Sequence, residues 1–452
     1  MKRSLGKILS IPKSWREISK SPLYYFTNLT IKNDQVVDLP LFPHIDTYLL
    51  CKPENIEYVL VKNNKNYIKG RAYRFLQIIL GNGLLTSEGD FWRRQRRIAQ
   101  PAFHRQILSS FTHEIELLVK KLITSWNLKL DSGTEVLNVA DEMMKLTVSI
   151  TANILFGADI TGKLDRIIFL VGDINEKTSN ILKTPLPIPL WIPTSNNKDF
   201  KKYIDELNLI INDIIAKRRG NPSSKREDLL QMLMDAVDEE TGEKMNDIQL
   251  KDEVMTLFLA GSETSSNALA WTLYLLCQHP VEYNKVMDEI KELNAKGIKG
   301  LEALKNLQYL NLVIQESLRI YPPAWILSRE ALHEDMIGGL KIKKGTQLYI
   351  SIHGMHSHPK HWEEPGKFKP ERFNGGKLPK FTYFPFGGGP RLCIGAELAR
   401  MEILLSLYKI LLSFSFSLVQ EVVPEPLITL RPKNGLHLMI QKASENSISF
   451  PD

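Results

Sequence analysis

The sequence predicts a mainly α-helical fold with small β-sheets set to one side and a β-rich N-terminal part. Three observations lead there. Between about residues 91 and 319, apolar residues recur at three- and four-residue spacing, as on helices that bury one face. One stretch, "NDIQLKDEVMTLFLAGSETSSNALAWTLYLLCQHP" (246–280), carries this pattern without a proline until its last residue. Outside the helical region, short segments alternate with period two and end in Gly, Pro or Asn, as strands do.

Each element follows in order. "TYLLCKPENIEYVL" (47–60) is a short strand followed by a helix that Pro53 opens. "LLVKKLITSWN" (117–127) and "EMMKLTVSITANILFG" (142–157) are amphipathic helices. The four prolines of "KTPLPIPLWIPTSNN" (183–197) break the pattern, and a segment so apolar is expected to be an ordered loop covering an apolar region or a loop at a pocket mouth. Helix resumes in "FKKYIDELNLIINDIIAKRR" (200–219). In the long segment Asp247 is the expected N-cap and Pro280 the stop. At 1.5 Å per residue this helix spans roughly 50 Å. Its middle is apolar or small nearly all round, which places it across the core. "LKIKKGTQLYISIH" (340–353) and "ITLRPKNGLHLMI" (428–440) each suggest a hairpin.

With 452 residues, length alone suggests about three domains. No Gly/Ser-rich linker, low-complexity block or repeat divides the chain, so one domain over 1–452 is expected, with about 1–40 as an N-terminal extension. Three scattered cysteines, Cys51, Cys277 and Cys393, argue against a disulfide framework and for a reducing, cytoplasmic setting. The basic N-terminus lacks the apolar run of a secretory signal, and no stretch of about 18 apolar residues is present to span a membrane. Leu5, Ile8, Leu9, Ile11 and Trp15 would allow loose contact with a membrane surface. The net charge of +7 is concentrated in "FWRRQRR" (91–97) and "AKRR" (216–219). No nucleic-acid-binding signature accompanies them, so no nucleic-acid partner is expected.

The chemistry is concentrated in "FPFGGGPRLCIGAELARME" (384–402). Gly387, Gly388 and Gly389 form a tight loop that a flat ligand can approach. Cys393 follows, at the first turn of a helix beginning near Ile394, where the helix dipole and Arg391 favour a thiolate. One thiolate is too few for a structural zinc site, which needs four ligands. It suffices as the single protein ligand of a haem iron. Phe386, Gly389, Arg391, Cys393 and Gly395 match the haem-binding signature F-x-x-G-x-R-x-C-x-G, and the chain resembles a cytochrome P450 from about residue 40 to 442.

Other motifs extend the resemblance. Glu316 and Arg319 in "QESLR", with Arg372 in "KPERF", are similar to the family's structural E-x-x-R…R triad. The segment Ala260-Gly261-Ser262-Glu263-Thr264-Ser265 is similar to its A-G-x-[DE]-T-[TS] oxygen-binding groove. Ala260 and Gly261 would then line the groove over the haem, Gly261 leaving room for dioxygen. Thr264 would hydrogen-bond the oxygen and Glu263 would relay protons. Trp92 and Arg96 resemble the W-x-x-x-R contact to the propionates, which Arg391, Arg329 and, by position, Lys69 would share. Arg93, Arg94 and Arg97 would face solvent, on the surface where an electron donor docks.

The resemblance implies heme b (iron protoporphyrin IX), held at iron by Cys393, in a monooxygenase that is a monomer. With no flavin or nicotinamide module in the sequence, electrons would come from a separate ferredoxin or flavodoxin. Segments 73–85, 184–193, 324–327 and 433–435 match regions that line family pockets, and they are apolar. The substrate is therefore a long apolar molecule, a fatty acid or an isoprenoid such as a carotenoid. The alternatives are a peroxygenase or isomerase on the same fold, or a non-catalytic haem sensor or carrier. Glu263 and Thr264 argue against both.

Overall fold

The computed structural model describes residues 2–157, 164–183, 188–220, 228–298 and 300–443. Its axis is the helix Asp247–Gln278, 32 residues long. Asn246, not Asp247, caps it. The Asn246 side chain accepts from the Gln249 backbone N–H, and the Gln249 side chain accepts from that of Asn246, each at 2.9 Å. This reciprocal box satisfies two otherwise orphaned donors. Asp247 lies one position inside, where its charge meets the positive end of the helix dipole. Pro280 opens the next helix, Pro280–Ala295.

Around this axis pack the helices Val139–Phe156, Gln308–Ile320 and Ala396–Ser413. Trp126, Phe156, Phe258, Trp271, Tyr283 and Tyr408 are among the side chains fully enclosed there. A second core lies under a five-stranded sheet ordered Val36–Asp38, Thr47–Leu50, Gln347–Ser351, Ile326–Ala331, Tyr67–Lys69. In its last ladder Lys69 pairs with Arg329, which sets two cationic residues side by side.

Neither expected hairpin forms. Leu340–Ile342 pairs with Asp335–Ile337, while Gln347–Ser351 enters the large sheet between Thr47–Leu50 and Ile326–Ala331. Gln347–Ser351 is buried at four of its five positions, and a central place in a sheet meets that demand better than a two-stranded ribbon. Likewise Leu430–Pro432 pairs with Pro424–Pro426, and His437–Lys442 with Phe414–Leu418 and Val136–Asn138. Between them Asn434 and Gly435 both take positive φ and turn the chain away.

The N-terminal helices Lys2–Lys20 and Pro22–Lys32 fold back on the sheet. The Trp15 indole donates to Leu41 O at 2.8 Å, and Ile18, Leu23 and Phe26 join the core beneath. Trp15 is thus engaged with the protein rather than free for a membrane surface. The side chains of Leu5, Ile8 and Leu9 lie outside the described residues, as do 184–187 of the proline-rich loop. Among the described residues no helix is long and apolar enough to cross a membrane.

Candidate active site

Behind the cysteine loop lies a buried ionic node. Glu316 and Arg319 are fully enclosed and joined by two parallel hydrogen bonds of 2.7 and 2.8 Å. Arg319 also donates to the carbonyls of His356, Pro365 and Lys367. Glu316 receives Arg372 Nε at 2.9 Å and Lys369 N at 3.0 Å. His356 Nε2 then accepts the backbone N–H of Phe384 at 2.9 Å, at the start of the loop. The node therefore positions the loop through backbone contacts and stays away from the chemistry.

The loop is tightly folded. Gly389 has φ +69°, and a Cβ there would fall 2.0 Å from Leu60 O. Only glycine fits. Cys393 N–H donates to Phe386 O at 3.0 Å. The helix beyond starts at Ala396 with Gly395 as its cap, so Cys393 precedes the helix rather than opening it. Its thiol is pushed up by burial, against the Gly395 backbone N–H and the charges of Arg96 and Arg400. The expectation of a readily ionised free thiol is thus corrected, because desolvation outweighs the donors. A metal would reverse the balance, since a coordinating thiol is deprotonated outright. Cys393 is nevertheless accessible to solvent although protein crowds around it, as at the mouth or wall of a ligand site.

Ala260 behaves the same way. It is exposed although Phe258 and Ser262 beside it are buried. Thr264, one turn on, is half-buried and donates its hydroxyl to Ala260 O at 2.8 Å. Both lone pairs of that hydroxyl stay free to accept. A Cβ on Gly261 would meet Thr151 at 3.3–3.4 Å, so this glycine lets the long helix and Val139–Phe156 approach closely. Glu263 is buried. Its Oε1 accepts from the Thr429 hydroxyl at 2.6 Å and its Oε2 from the Asn175 side chain.

A cationic cluster gathers around Arg391, two residues before Cys393. Arg391 donates to Ser87 O and to Glu88, and stacks over Trp92 at 4.2 Å. Glu88 also accepts the Lys69 backbone N–H at 2.6 Å. Arg329 is buried and donates to Ser328 O. Lys69 lies 4.4 Å from the Tyr73 ring. Burial and the neighbouring Arg329 and Arg391 push the Lys69 ammonium well down, and burial brings Arg391 to about 10. Three cations share one carboxylate, and among the described residues neither Lys69 nor Arg329 is in an ion pair. Such a surplus is costly unless a ligand brings about two negative charges. The two propionates of a haem do so, and the single accessible thiolate source suits its iron, so these residues fit the group.

The cytochrome P450 family model matches residues 6–443. This chain is a cytochrome P450. It is 32% identical over 392 residues to cyclooctat-9-en-7-ol 5-monooxygenase of Streptomyces melanosporofaciens, covering 86% of this chain and 83% of that protein. It is 31% identical over 407 residues to a cytokinin hydroxylase of Arabidopsis thaliana, covering 87% and 78%. It is 29% identical over 429 residues to the chloroplastic protein LUTEIN DEFICIENT 5 of the same plant, covering 88% and 70%. The protein is accordingly an oxidoreductase of the P450 monooxygenase class, with a haem-iron cofactor, a substrate and a redox partner.

Within this P450, two expected surface arginines are tied down. Arg97 pairs with Asp238 at 2.5 Å and with Glu240 at 2.6 Å, and Arg94 pairs with Glu243. A bridge between Val237 and Lys244 folds this acidic loop over the helix Gly89–Ala99. Arg93 remains outward and, among the described residues, is paired with Asp90. Arg96 turns to the cysteine loop and donates to Leu392 O at 2.9 Å. Arg93 and Arg96 rim a cleft of about 420 Å³ floored by Trp92, Pro101 and Pro390. Sequence reasoning missed Glu88, Asn175 and Thr429. Glu88 stands four residues before Trp92 in "SEGDFW" and could have been found as an acid beside the expected cations. Asn175 and Thr429 carry no local signal.

Proposed function

We propose that this P450 hydroxylates an apolar isoprenoid or fatty-acid-like molecule, using heme b and electrons from a separate ferredoxin or flavodoxin in the cytoplasm, as a monomer. The observation that carries the reading is the accessible Cys393, two residues after Arg391, in a cluster where the basic side chains of Lys69, Arg329 and Arg391 gather around the single carboxylate of Glu88. Cys393 would hold the iron, and Lys69, Arg329, Arg391 and Trp92 the propionate edge. Bound haem would supply the activation of dioxygen, with two electrons and two protons, so that one oxygen atom enters a C–H bond and the other leaves as water.

The chain's own residues bind, orient and manage protons. Thr264 has its proton engaged on Ala260 O, so it can accept from a water and aim that water's other proton onward. Glu263 would replace the proton. Phe75 stacks on Phe200 at 6.1 Å, Leu76 packs against the main core, and Ala324 and Leu327 are half-buried on the sheet side. These apolar groups support a hydrocarbon substrate. Related proteins named for a cyclic alkenol, a cytokinin and lutein support an isoprenoid. The cleft between Arg93 and Arg96 would receive an acidic donor.

The test is a titration of the ferric protein with a C20 isoprenoid alcohol, a carotenoid and a long-chain fatty acid, followed by absorbance at the haem. A saturable spin-state shift with an isoprenoid, followed by hydroxylated product with ferredoxin and its reductase, is expected. Binding of small polar molecules alone contradicts the reading.

A further inference from the structure

Glu263 is held by partners from two other segments, one of them braced by a third residue. Asn175 comes from the helix Leu164–Lys183 and Thr429 from the turn ahead of Leu430–Pro432, while Asn267, on the next turn of Glu263's own helix, bonds Thr429. The Thr429 hydroxyl both donates and accepts. It donates to Glu263 Oε1 at 2.6 Å and accepts from Asn267 Nδ2 at 3.0 Å. Asn267 thereby fixes the direction of the Thr429 proton, and Asn175 holds the other oxygen of the carboxyl. Among the described residues, no hydrogen bond joins these groups to Ala260 or Thr264. The charged group facing the carboxyl is Arg431, half-buried and paired with Glu425 at 3.0 Å.

We propose that Thr429, oriented by Asn267, is a positioning residue that fixes the Glu263 carboxyl and sets its acidity, with Asn175 as second anchor. The inference rests on the proposed proton-supplying role of Glu263. Burial pushes the Glu263 carboxyl up, while Thr429, Arg431 and Asn175 pull it down. A donor to a carboxylate stabilises the charged form, so its loss raises the pKa. A hydrogen bond to a charged group is strong enough for a shift of about one pH unit or more. Glu263 supplies protons only while protonated, so coupling of electrons to product falls as pH rises through its pKa. Loss of the donor moves that fall to higher pH.

The experiment uses the haem-loaded protein and two readouts. The first is the carboxylic C=O band of Glu263 in difference infrared spectra of the ferric protein, assigned by its absence in E263Q and titrated with pH. The second is the pH profile of product per electron. Thr429→Val should raise both midpoints by about one unit or more, and Thr429→Ser should restore both. Asn175→Ala should shift them in the same direction and carries the test if Thr429→Val folds poorly. An unmoved infrared midpoint, or an equal shift in Thr429→Ser, overturns the proposal. If the infrared midpoint moves and the coupling profile does not, the positioning stands and the proton-supplying role of Glu263 fails.

Discussion

Arg319→Ala is expected to give a protein that neither retains haem nor unfolds cooperatively. The guanidinium is wholly enclosed, and besides its two bonds to Glu316 it holds the carbonyls of His356, Pro365 and Lys367. Its removal leaves Glu316 as a buried carboxylate with only Arg372 and one backbone N–H. Breaking a buried pair in this way costs about 3–5 kcal/mol, a large share of the roughly 5–15 kcal/mol that stabilises a typical domain. The cost falls on the segment that leads through His356 to Phe384 and the loop. Arg319→Lys should fail as well, since an ammonium has too few donors and the wrong geometry for five acceptors. Arg372→Ala should be milder, because Arg372 is partly exposed and makes one bond to Glu316. Denaturant titration and haem content measure this series. Equal stability of Arg319→Ala and Arg372→Ala would show that the node does not support the loop.

Thr264→Ala should keep fold, haem and substrate affinity and lose most of the product formed per electron consumed. The hydroxyl donates only to a backbone carbonyl of its own helix, a bond a helix dispenses with easily. Its loss should therefore have little effect on stability. Without it, no hydroxyl on that turn is placed to accept from water and aim the water's proton onward, since Ser262 and Ser265 are both buried, whereas Thr264 is half-exposed. Electrons should then leave as free hydrogen peroxide, and product per electron should fall about tenfold or more, within the usual range for a proton-transfer group. Thr264→Ser should recover most of it. The ratio of product to electrons in the three proteins is the measurement. An unchanged ratio in Thr264→Ala would mean that protons arrive by another route.

Much of this was legible locally, because it depends on short-range spacing. The loop from Phe386 to Gly395, the Glu316–Arg319 pair and the long helix each follow from residues within a few turns. Other features depended on distant partners. Period two identified the faces of Leu340–Ile342 and Gln347–Ser351 but not their neighbours, and burial sent them to different sheets. Arg97 looks like any arginine of a solvated run until Asp238, 141 positions away, is seen beneath it. Charge surplus around Lys69 needed the ladder that pairs it with Arg329. The capping residue missed by one position, Asn246 for Asp247, because both types accept a backbone N–H and only geometry separates them.

The central claim is that Cys393, through its thiolate, is the iron ligand of this chain. The direct measurement is the absorption spectrum of the purified, reduced protein under carbon monoxide, compared with that of Cys393→His. The wild type should show the strongly red-shifted Soret band of a thiolate-ligated haem, and Cys393→His should lose that band even where it still binds haem. A wild type without the band, or a Cys393→His protein that keeps it, would contradict the assignment.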